Sequence, residues 1–211
     1  MKKMKTHTAE IDLNVHHVPQ SFSDHIAYKL VKFLRFFADS FFSNRYAHRA
    51  VVLETVAGVP GMVGGMLQHL KSLRQCKDDE GRIKVLLEEA ENERMHLMTF
   101  IQIAQPGGLE KILIVIAQII FFIAYFILYL LSLKTSHRFV SYLEEEAVYS
   151  YTQYLHEVES GKIDNVPAPS IAVAYWTLGS NATLSDLIVA VRKDEAHHRD
   201  QNHHYATGSV I

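Results

Sequence analysis

The segment from Ile112 to Leu133 constrains the fold most, because it contains 22 residues and no charged side chain. Ile, Leu and Phe dominate it. A helix rises 1.5 Å per residue, so a helix of this length matches the roughly 30 Å thick hydrocarbon core of a bilayer. Length alone therefore predicts a membrane-spanning helix.

A second apolar stretch, from Phe22 to Phe42, differs because Lys29, Lys32 and Arg35 interrupt it. Six apolar residues recur at three- and four-residue steps, as on one helix face: Phe22, Ile26, Leu30, Phe33, Phe37 and Phe41. A core-facing helix would show the same period. Residues 1–49 hold eight Lys or Arg against four acids, which favours an interfacial helix on an anionic membrane surface.

The rest of the chain is helical in pattern, and no stretch alternates as a strand would. Helices are predicted over Tyr46 to about Arg74 (bent at Pro60), Arg82 to about Gln102, Ser136 to about Glu159, and Thr183 to about His198. We expect one domain over 21–205, an N-terminal arm over 1–20 and a tail over 206–211. The single cysteine excludes an internal disulfide, and 21 basic against 23 acidic residues give no support for a nucleic-acid partner.

Two Glu-x-x-His pairs, Glu93–His96 and Glu195–His198, indicate a metal site. Residues i and i+3 lie on one face of a helix, so both side chains of a pair reach the same point. In carboxylate-bridged di-metal bundles, two helices each supply one Glu and two others each supply Glu-x-x-His. The pattern therefore predicts an all-α, ferritin-like four-helix bundle.

The two single glutamates of that scheme come from the helices that precede the pairs. Glu54 is the only charge in an apolar run, so its burial is costly unless it binds a metal or pairs, with Arg49 as the alternative partner. The other comes from Glu144, Glu145 and Glu146, among which spacing does not decide. Carboxylates and imidazoles without a thiolate favour iron or manganese over zinc.

The metal site in turn decides the topology of the apolar segment. If Ile112–Leu133 crossed the bilayer, Glu93 and Glu144 would lie on opposite sides of it. Neither charged flanking helix can cross back. We therefore expect this helix and Phe22–Phe42 to form a monotopic face that enters one leaflet of lipid.

Five segments resemble the alternative oxidases, the cyanide-insensitive di-iron quinol oxidases of respiratory chains. They are RAVVLETVA at 49–57, PGMVGGM at 60–66, LEEAENERMHL at 87–97, LEEEA at 143–147 and DEAHHR at 194–199. The resemblance covers about residues 20–205. It implies a homodimeric enzyme with two iron ions that oxidises ubiquinol and reduces dioxygen to water without pumping protons.

The resemblance also assigns roles to single residues. It implies these iron ligands, choosing Glu144 from the triple glutamate: Glu54, Glu93, His96, Glu144, Glu195 and His198. Tyr151 corresponds to the family's redox-active tyrosine. The implied quinol-pocket residues are Arg35, Asp39, Arg49, Leu53, Ala147 and Ser150. The residues that the resemblance implies behind the ligands or on the electron path are Asn92, His137, Trp176 and Asp194. The implied dimer segment contains His69, Leu73 and Arg74.

Some positions depart from the family pattern. Position 50 is Ala and no cysteine precedes the first helix, so the regulatory cysteines of the plant enzymes are missing. Ser150 replaces the usual Thr. The short N-terminus lacks a transit peptide, which predicts a bacterial member on the cytoplasmic face of the inner membrane. The alternative is the matrix face of the mitochondrial inner membrane.

Other functions remain open at this stage. A plastoquinol oxidase or a hydroxylase of quinone precursors would use a similar di-iron site. A soluble ferritin-like iron-binding bundle would not need Ile112–Leu133. A metal-free membrane scaffold would not need the isolated charge of Glu54.

Overall fold

A computed structural model describes residues 11–208 of the chain. Seven α-helices occupy this range: α1 Phe22–Phe42, α2 Tyr46–Gln75, α3 Arg82–Ala104, α4 Gly108–Leu131, α5 Leu133–Glu159, α6 Ser170–Tyr175 and α7 Leu184–Ala206. Within 11–208 the only β-type pairing is one isolated bridge between Pro167 and Thr183. The predicted all-α class is confirmed.

Helices α2, α3, α5 and α7 form a four-helix bundle. Helix α2 packs along α3, and α5 packs along α7. The core between the two pairs includes Val51 of α2, Phe100 of α3, Tyr151 of α5 and Leu187 of α7, all nearly inaccessible to solvent. Each helix therefore turns one face toward the same central volume.

Polar caps set several helix ends. Ser21 and Thr183 each begin a helix with a capping box, formed with Asp24 and Asp186 respectively. Ser132 separates α4 from α5, and its hydroxyl accepts a hydrogen bond from the Thr135 amide. The helix that carries the uncharged segment thus spans 108–131 rather than 112–133.

Two helical features differ from the sequence prediction. Helix α6, in the loop region before Thr183, was not predicted. Helix α7 continues to Ala206, eight residues beyond the expected end at His198. The extra two turns carry Asn202 and His203 onto the inner face, where their side chains make hydrogen bonds with α3 and α5.

Helices α1 and α4 lie outside the bundle and pack on it through a second core cluster, which contains Ala27, Val31, Val63, Tyr125 and Phe139. Their other faces are exposed and apolar. The exposed side chains of α4 include Leu109, Ile112, Val115, Ile116, Ile119, Ile120, Phe122, Ile123, Ile127, Leu130 and Leu131. The prediction of two helices with exposed apolar faces is confirmed.

Among the described residues, two helices are long and apolar enough to span a membrane, α2 and α4. Their surroundings differ. In the apolar stretch of α2, 67% of the residues are buried inside the protein, against 11% for α4. Helix α2 is therefore a core helix, while the apolar surface of α4 has no cover from the rest of the described chain.

Helices α2 and α3 approach each other closely where α2 carries small residues. A Cβ atom built on Gly61 would lie 2.3 Å from the Leu86 carbonyl oxygen and 3.0 Å from the Ala90 Cβ. Backbone lies against backbone at this point. Helix α2 runs through Pro60 without interruption.

We expect the substitution Gly61→Ala to destabilise the protein by about 1–3 kcal/mol, because the added methyl group must push α3 away. For a chain of this size, 1 kcal/mol corresponds to about 2–4 °C in melting temperature. Circular dichroism of the detergent-solubilised protein at a fixed scan rate would measure the change. Gly108→Ala is the matched control, since nothing lies within 4 Å of its added Cβ. Equal melting temperatures for both variants would contradict the close approach.

Candidate metal centre

Six side chains from four helices meet in the centre of the bundle. Helices α2 and α5 each contribute one glutamate, whereas α3 and α7 each contribute a Glu-x-x-His pair. They are the six ligands implied by the family resemblance: Glu54, Glu93, His96, Glu144, Glu195 and His198. None exposes more than 7% of its surface. The i and i+3 spacing works as predicted, because both members of each pair face inward.

The six residues form two overlapping groups of four, and within each group the ligand atoms lie within 4.8 Å of one another. One group combines Glu54 and His96 with Glu93 and Glu195; the other combines Glu144 and His198 with the same two glutamates. Glu93 and Glu195 belong to both groups. The arrangement suits two metal ions with Glu93 and Glu195 between them.

The histidines turn one nitrogen toward the carboxylates. Nδ1 of His96 lies 3.1 Å from Glu93 Oε2, 3.2 Å from Glu195 Oε1 and 3.4 Å from Glu54 Oε2. Nδ1 of His198 lies 2.6 Å from Glu93 Oε1. In both rings Nδ1 is therefore the atom available to a metal ion.

Several polar atoms of this cluster fit a metal because they have no other partner. Several buried atoms lie close to the histidine nitrogens described above or to no donor, and make no hydrogen bond of normal geometry. They include Glu54 Oε2, Glu93 Oε1, Glu144 Oε1, both carboxylate oxygens of Glu195, and His198 Nδ1. A buried carboxylate oxygen without a partner is strongly unfavourable. Metal cations would bind these atoms and offset the four negative charges, so the donor set fits a carboxylate-rich metal pair.

The acid–base properties of the cluster show the same need for positive charge. Burial, and then the charge of Glu195, raises the pKa of both Glu54 and Glu144 well above its usual range. Burial alone lowers the pKa of His198, but the surrounding carboxylates, Glu93 first among them, outweigh burial and raise the pKa to about 9. Protons thus occupy the site when cations do not, and metal binding must displace them.

The structure separates the three consecutive glutamates that spacing left undecided. Glu144 faces the metal cluster and is 1% exposed. Glu145 accepts hydrogen bonds from the side chains of His16 and His203, whereas Glu146 pairs with Lys32 and Arg35. Successive residues of a helix point about 100° apart, so only one of the three can face the cluster.

The alternative partner of Glu54 is engaged elsewhere. Arg49 donates to Asp39 Oδ1 at 2.7 Å and to the Ser150 hydroxyl. Burial lowers its pKa, and the charge of Asp39 opposes that effect. Glu54 instead accepts a hydrogen bond from the Tyr151 hydroxyl.

A mainly apolar pocket connects α1 with the metal cluster. All six predicted quinol-pocket residues line it, namely Arg35, Asp39, Arg49, Leu53, Ala147 and Ser150. Its inner end is lined by Glu54, Glu144, Tyr151 and Glu195. Sequence reasoning missed Glu146, which also lines the pocket and holds Arg35. The only feature of the sequence that pointed to Glu146 was its place in the run of three glutamates.

Tyr151 lies at the junction of the pocket and the cluster. Its hydroxyl donates to Glu54 Oε1, and its ring stacks on Phe100 with centroids 5.5 Å apart. Burial, followed by the charge of Glu54, raises the pKa of Tyr151 well above its usual range. The phenol is therefore neutral and keeps its proton.

Three of the four residues predicted to support the ligands or to lie on the electron path form one hydrogen-bond network beside His96. Asp194 Oδ2 accepts hydrogen bonds from Trp176 Nε1 at 2.7 Å and Asn92 Nδ2 at 3.0 Å, and lies 3.4 Å from His96 Nε2. The Trp176 ring stacks on His96 with centroids 5.6 Å apart. The fourth, His137, lies elsewhere and contacts Asn202, which sequence reasoning missed because the predicted helix ended before it.

The N-terminal arm makes contacts that the sequence did not suggest. Residues 11–20 form no helix, turn once at Leu13 and Asn14, and contact α5 and α7. The fully buried Arg199 donates to the Asp12 carbonyl oxygen at 2.7 Å, and His16 and the His17 amide contact Glu145. His16 and His17 of the arm and His203 of α7 thus all contact Glu145 and help to hold the arm on the bundle. Residues 1–10 and 209–211 of the predicted arm and tail lie outside the described residues.

The chain is similar to known proteins over most of its length. The family model described as alternative oxidase matches residues 4–207. Ubiquinol oxidase 1a, mitochondrial, from Oryza sativa subsp. japonica is 60% identical over 201 residues, covering 94% of this chain and 60% of that protein. Alternative oxidase 3, mitochondrial, from Glycine max is 58% identical over 193 residues, covering 92% and 59%. The mitochondrial ubiquinol oxidase of Batrachochytrium dendrobatidis is 55% identical over 202 residues, covering 96% and 64%. The chain thus spans about three fifths of the length of these relatives.

We expect Glu54→Ala to lower metal affinity by more than about 100-fold, since even changes beside a ligand cost 10–100-fold. The metal-free protein should keep its melting temperature or gain stability, because the substitution removes a buried carboxylate that lacks a cation. Metal per chain after anaerobic loading with Fe(II) and desalting, together with the melting temperature, would test this. Glu88→Ala is the control, because the Glu88 side chain is 65% exposed. Full metal content in Glu54→Ala would show that Glu54 is only structural.

Proposed function

This chain belongs to the alternative oxidase family, and we propose that it oxidises ubiquinol and reduces dioxygen to water at a centre of two iron ions. One observation carries the proposal. The pocket lined by Arg35, Asp39 and Arg49 ends at Tyr151 and Glu54, so an organic reductant and the metal site can meet.

The reaction requires four electrons and four protons for each dioxygen molecule. Two quinols supply both. Bound iron would supply the redox chemistry with dioxygen, because each ion can change its oxidation state while carboxylate ligands offset its charge. The chain must therefore bind the quinol, orient its ring oxygens and accept its protons close to the metal cluster.

Three polar groups of the pocket suit those tasks. The Ser150 hydroxyl accepts from Arg49, so its own proton is available for a quinol oxygen. Asp39 receives Arg49 on one oxygen and Arg35 on the other, at 2.7 and 3.1 Å. Its side chain is still 45% exposed, so it can take up a proton and pass it to water. Leu53 and Ala147 supply apolar walls for the ring.

Tyr151 is suited to couple proton and electron transfer at the inner end of the pocket. A phenol can release an electron only if its proton leaves with it at low cost. Glu54 Oε1 already accepts a hydrogen bond from the Tyr151 hydroxyl and can receive that proton. Tyr151 can therefore act as a temporary donor while the next quinol is bound.

Two features favour this proposal over the alternatives. A soluble iron-binding bundle needs neither the exposed apolar surface of α4 nor a pocket for an organic ring. A plastoquinol oxidase or a quinone-precursor hydroxylase would use a similar centre, but the relatives that the chain matches are named ubiquinol oxidases and alternative oxidases. We also propose that no protons are pumped across the membrane. A protein attached to one leaflet would release the quinol protons on the side of the membrane where its bundle lies.

We propose that α1 and α4 insert their exposed faces into one leaflet. Both helices pack on the same core cluster, so their outer faces can meet one membrane surface. The pocket lies behind α1, lined by Val31, Leu34 and Arg35. A quinol dissolved in the membrane could then enter without passing through water.

The cellular location and the oligomeric state of the protein are also proposals. The named relatives are mitochondrial, which supports the matrix face of the mitochondrial inner membrane over the bacterial membrane expected from the sequence. We propose a homodimer through α2. His69, Leu73 and Arg74 are exposed there, beside the exposed apolar side chains of Met66 and Leu70.

We expect the iron-loaded protein to consume oxygen with ubiquinol, with or without cyanide, and Tyr151→Phe to lower the rate by roughly 100-fold, a typical contribution of a positioned proton-transfer group. Iron should be retained. The lost hydrogen bond should cost only about 1–3 kcal/mol. Oxygen uptake, iron content and melting temperature should be measured on one preparation.

Tyr154→Phe is the matched control for that experiment. Tyr154 is also buried and also lines the pocket, but its ring stacks on Tyr46 and it makes no hydrogen bond to a carboxylate of the cluster. Comparable oxygen uptake by the parent and Tyr151→Phe, with iron retained, would rule out the redox role. Absence of ubiquinol-dependent uptake in the iron-loaded parent would contradict the proposed function itself.

We expect Ile120→Asp to weaken binding to vesicles by roughly 10–100-fold, because an acidic side chain on a lipid-facing helix costs up to about 3 kcal/mol. Ile120 is 64% exposed on α4. Val189→Asp on α7 is the control, since Val189 is an exposed apolar residue of the bundle. Vesicle flotation in high salt measures the binding. Protease cleavage of the two termini from opposite sides of sealed vesicles would refute the monotopic attachment.

A further inference from the structure

The N-terminal arm is bound to the bundle at a cluster of histidines that the proposed reaction does not use. Glu145 Oε1 on α5 accepts a hydrogen bond from the His17 amide at 3.0 Å and lies 2.9 Å from His203 Nε2 on α7. Glu145 Oε2 contacts His16 Nδ1. One carboxylate thus joins the arm, α5 and α7.

The partners of His203 fix its protonation state. The Arg138 guanidinium lies within hydrogen-bond distance of His203 Nδ1. A guanidinium can only donate, so Nδ1 must accept and carries no proton. The one ring proton is then on Nε2, which donates it to Glu145 Oε1. This arrangement requires a neutral His203, because a second ring proton would point at Arg138.

His17 lies against the same two side chains. Its ring centroid is 4.9 Å from that of His203, and its buried Nε2 has no hydrogen-bond partner. Asp24 Oδ2 lies 3.7 Å from this nitrogen, but Arg138 already donates to the other oxygen of Asp24 at 2.8 Å. Burial, followed by the charge of Arg138, lowers the pKa of His17. The bound arm therefore favours a neutral His17 as well.

The charges around the rings of His17 and His203 leave no place for a further positive charge. The surrounding groups are His16 of the arm, Asp24 and Tyr28 of α1, Arg138, Tyr142 and Glu145 of α5, and Arg199 of α7, which pairs with Asp200. Asp24 and Glu145 supply two negative charges, and Arg138 supplies one positive charge. The exposed His16 ring lies at Glu145 and can carry the second positive charge. A proton on either of the other two rings therefore adds a charge that no free carboxylate offsets.

The arm also forms one wall of a polar cavity. The lining residues include Leu13, Asn14, Val15 and His16 of the arm, with Lys32, Arg35, Glu145 and Glu146 opposite. Arg35 and Glu146 line the proposed quinol pocket too. The position of the arm thus decides how far water reaches the ion pair that borders both cavities.

We propose that His17 and His203 form a pH-sensitive switch, which holds residues 11–20 on the bundle while both imidazoles are neutral and releases them when the imidazoles take up protons. In the released state both rings are in water, where histidine has a pKa of about 6.5. The bound state takes up fewer protons, so binding of the arm is complete above that pH and weakens as the pH falls below it. Each histidine lowers the ratio of bound to released arm by up to about 10-fold per pH unit. Carboxylates protonate near pH 4, at about 4 for Asp and Glu alike, which is below this range.

A spin label on the arm measures its release directly. The label is attached to Val18→Cys in a Cys76→Ser background, because Val18 is 64% exposed and Cys76 is the single cysteine of the chain. Electron paramagnetic resonance of the full-length, iron-loaded protein in detergent then gives the mobile fraction of the label. We expect this fraction to be small at about pH 7.5 and to grow between about pH 6.5 and about pH 5.5.

The decisive variant combines His17→Gln with His203→Gln. Glutamine does not titrate, but its amide oxygen can accept from Arg138 and its nitrogen can donate to Glu145, as neutral His203 does. The mobile fraction of this variant should not change with pH. The matched control combines His156→Gln with His204→Gln, since both histidines are exposed and lie outside the cluster. It should respond to pH as the parent does.

Three results would overturn the switch. The first is a mobile fraction in the parent that does not depend on pH, and the second is an equal rise in the double variant of His17 and His203. The third is a loss of helix by circular dichroism over the same pH range, which would mean that the whole chain unfolds. None of these measurements uses quinol or oxygen, so failure of the switch and failure of the proposed function are distinguishable.

Discussion

Four glutamate side chains lie buried together at the centre of the bundle, and the repulsion among their charges is the main constraint on the structure around them. Glu54, Glu93, Glu144 and Glu195 are each no more than 4% exposed, and several of their oxygens have no hydrogen-bond partner. Such a group is stable only with protons or cations among its members. Each of the four bundle helices contributes a carboxylate to this cluster, so all four must approach one another at the same height along the bundle.

The side chains around the cluster differ from one side to another. On the side of α1, Tyr151 and Glu54 connect the cluster to the pocket. The charged groups of that pocket outside the cluster form ion pairs with one another, so none of them lacks a partner of opposite charge. On another side, Asp194 contacts His96 and accepts a hydrogen bond from Trp176. The cluster is thus open to the pocket on the side of α1, while His96 is held from behind.

The fold could be predicted from local patterns because most of its helices are strongly periodic or uniformly apolar. The ends of α1 were predicted correctly, since Ser21 and Asp24 form a capping box. Boundaries failed where the deciding contact was distant in sequence. The end of α7 was placed too early because its last two turns are polar, and they are helical because Asn202 and His203 find partners on α3 and α5.

The sequence by itself determined which residues could form the centre. A Glu-x-x-His spacing puts both side chains on one helix face in any context, and a lone charge such as Glu54 in an apolar run must find a partner. Only the tertiary structure decided which partner. Glu144 rather than Glu145 or Glu146 faces the cluster, Arg49 turns to Asp39 instead of Glu54, and Glu89 is held by α7. These choices depend on how the helices are rotated against one another, and that rotation is set by packing between different helices, which no local sequence pattern specifies.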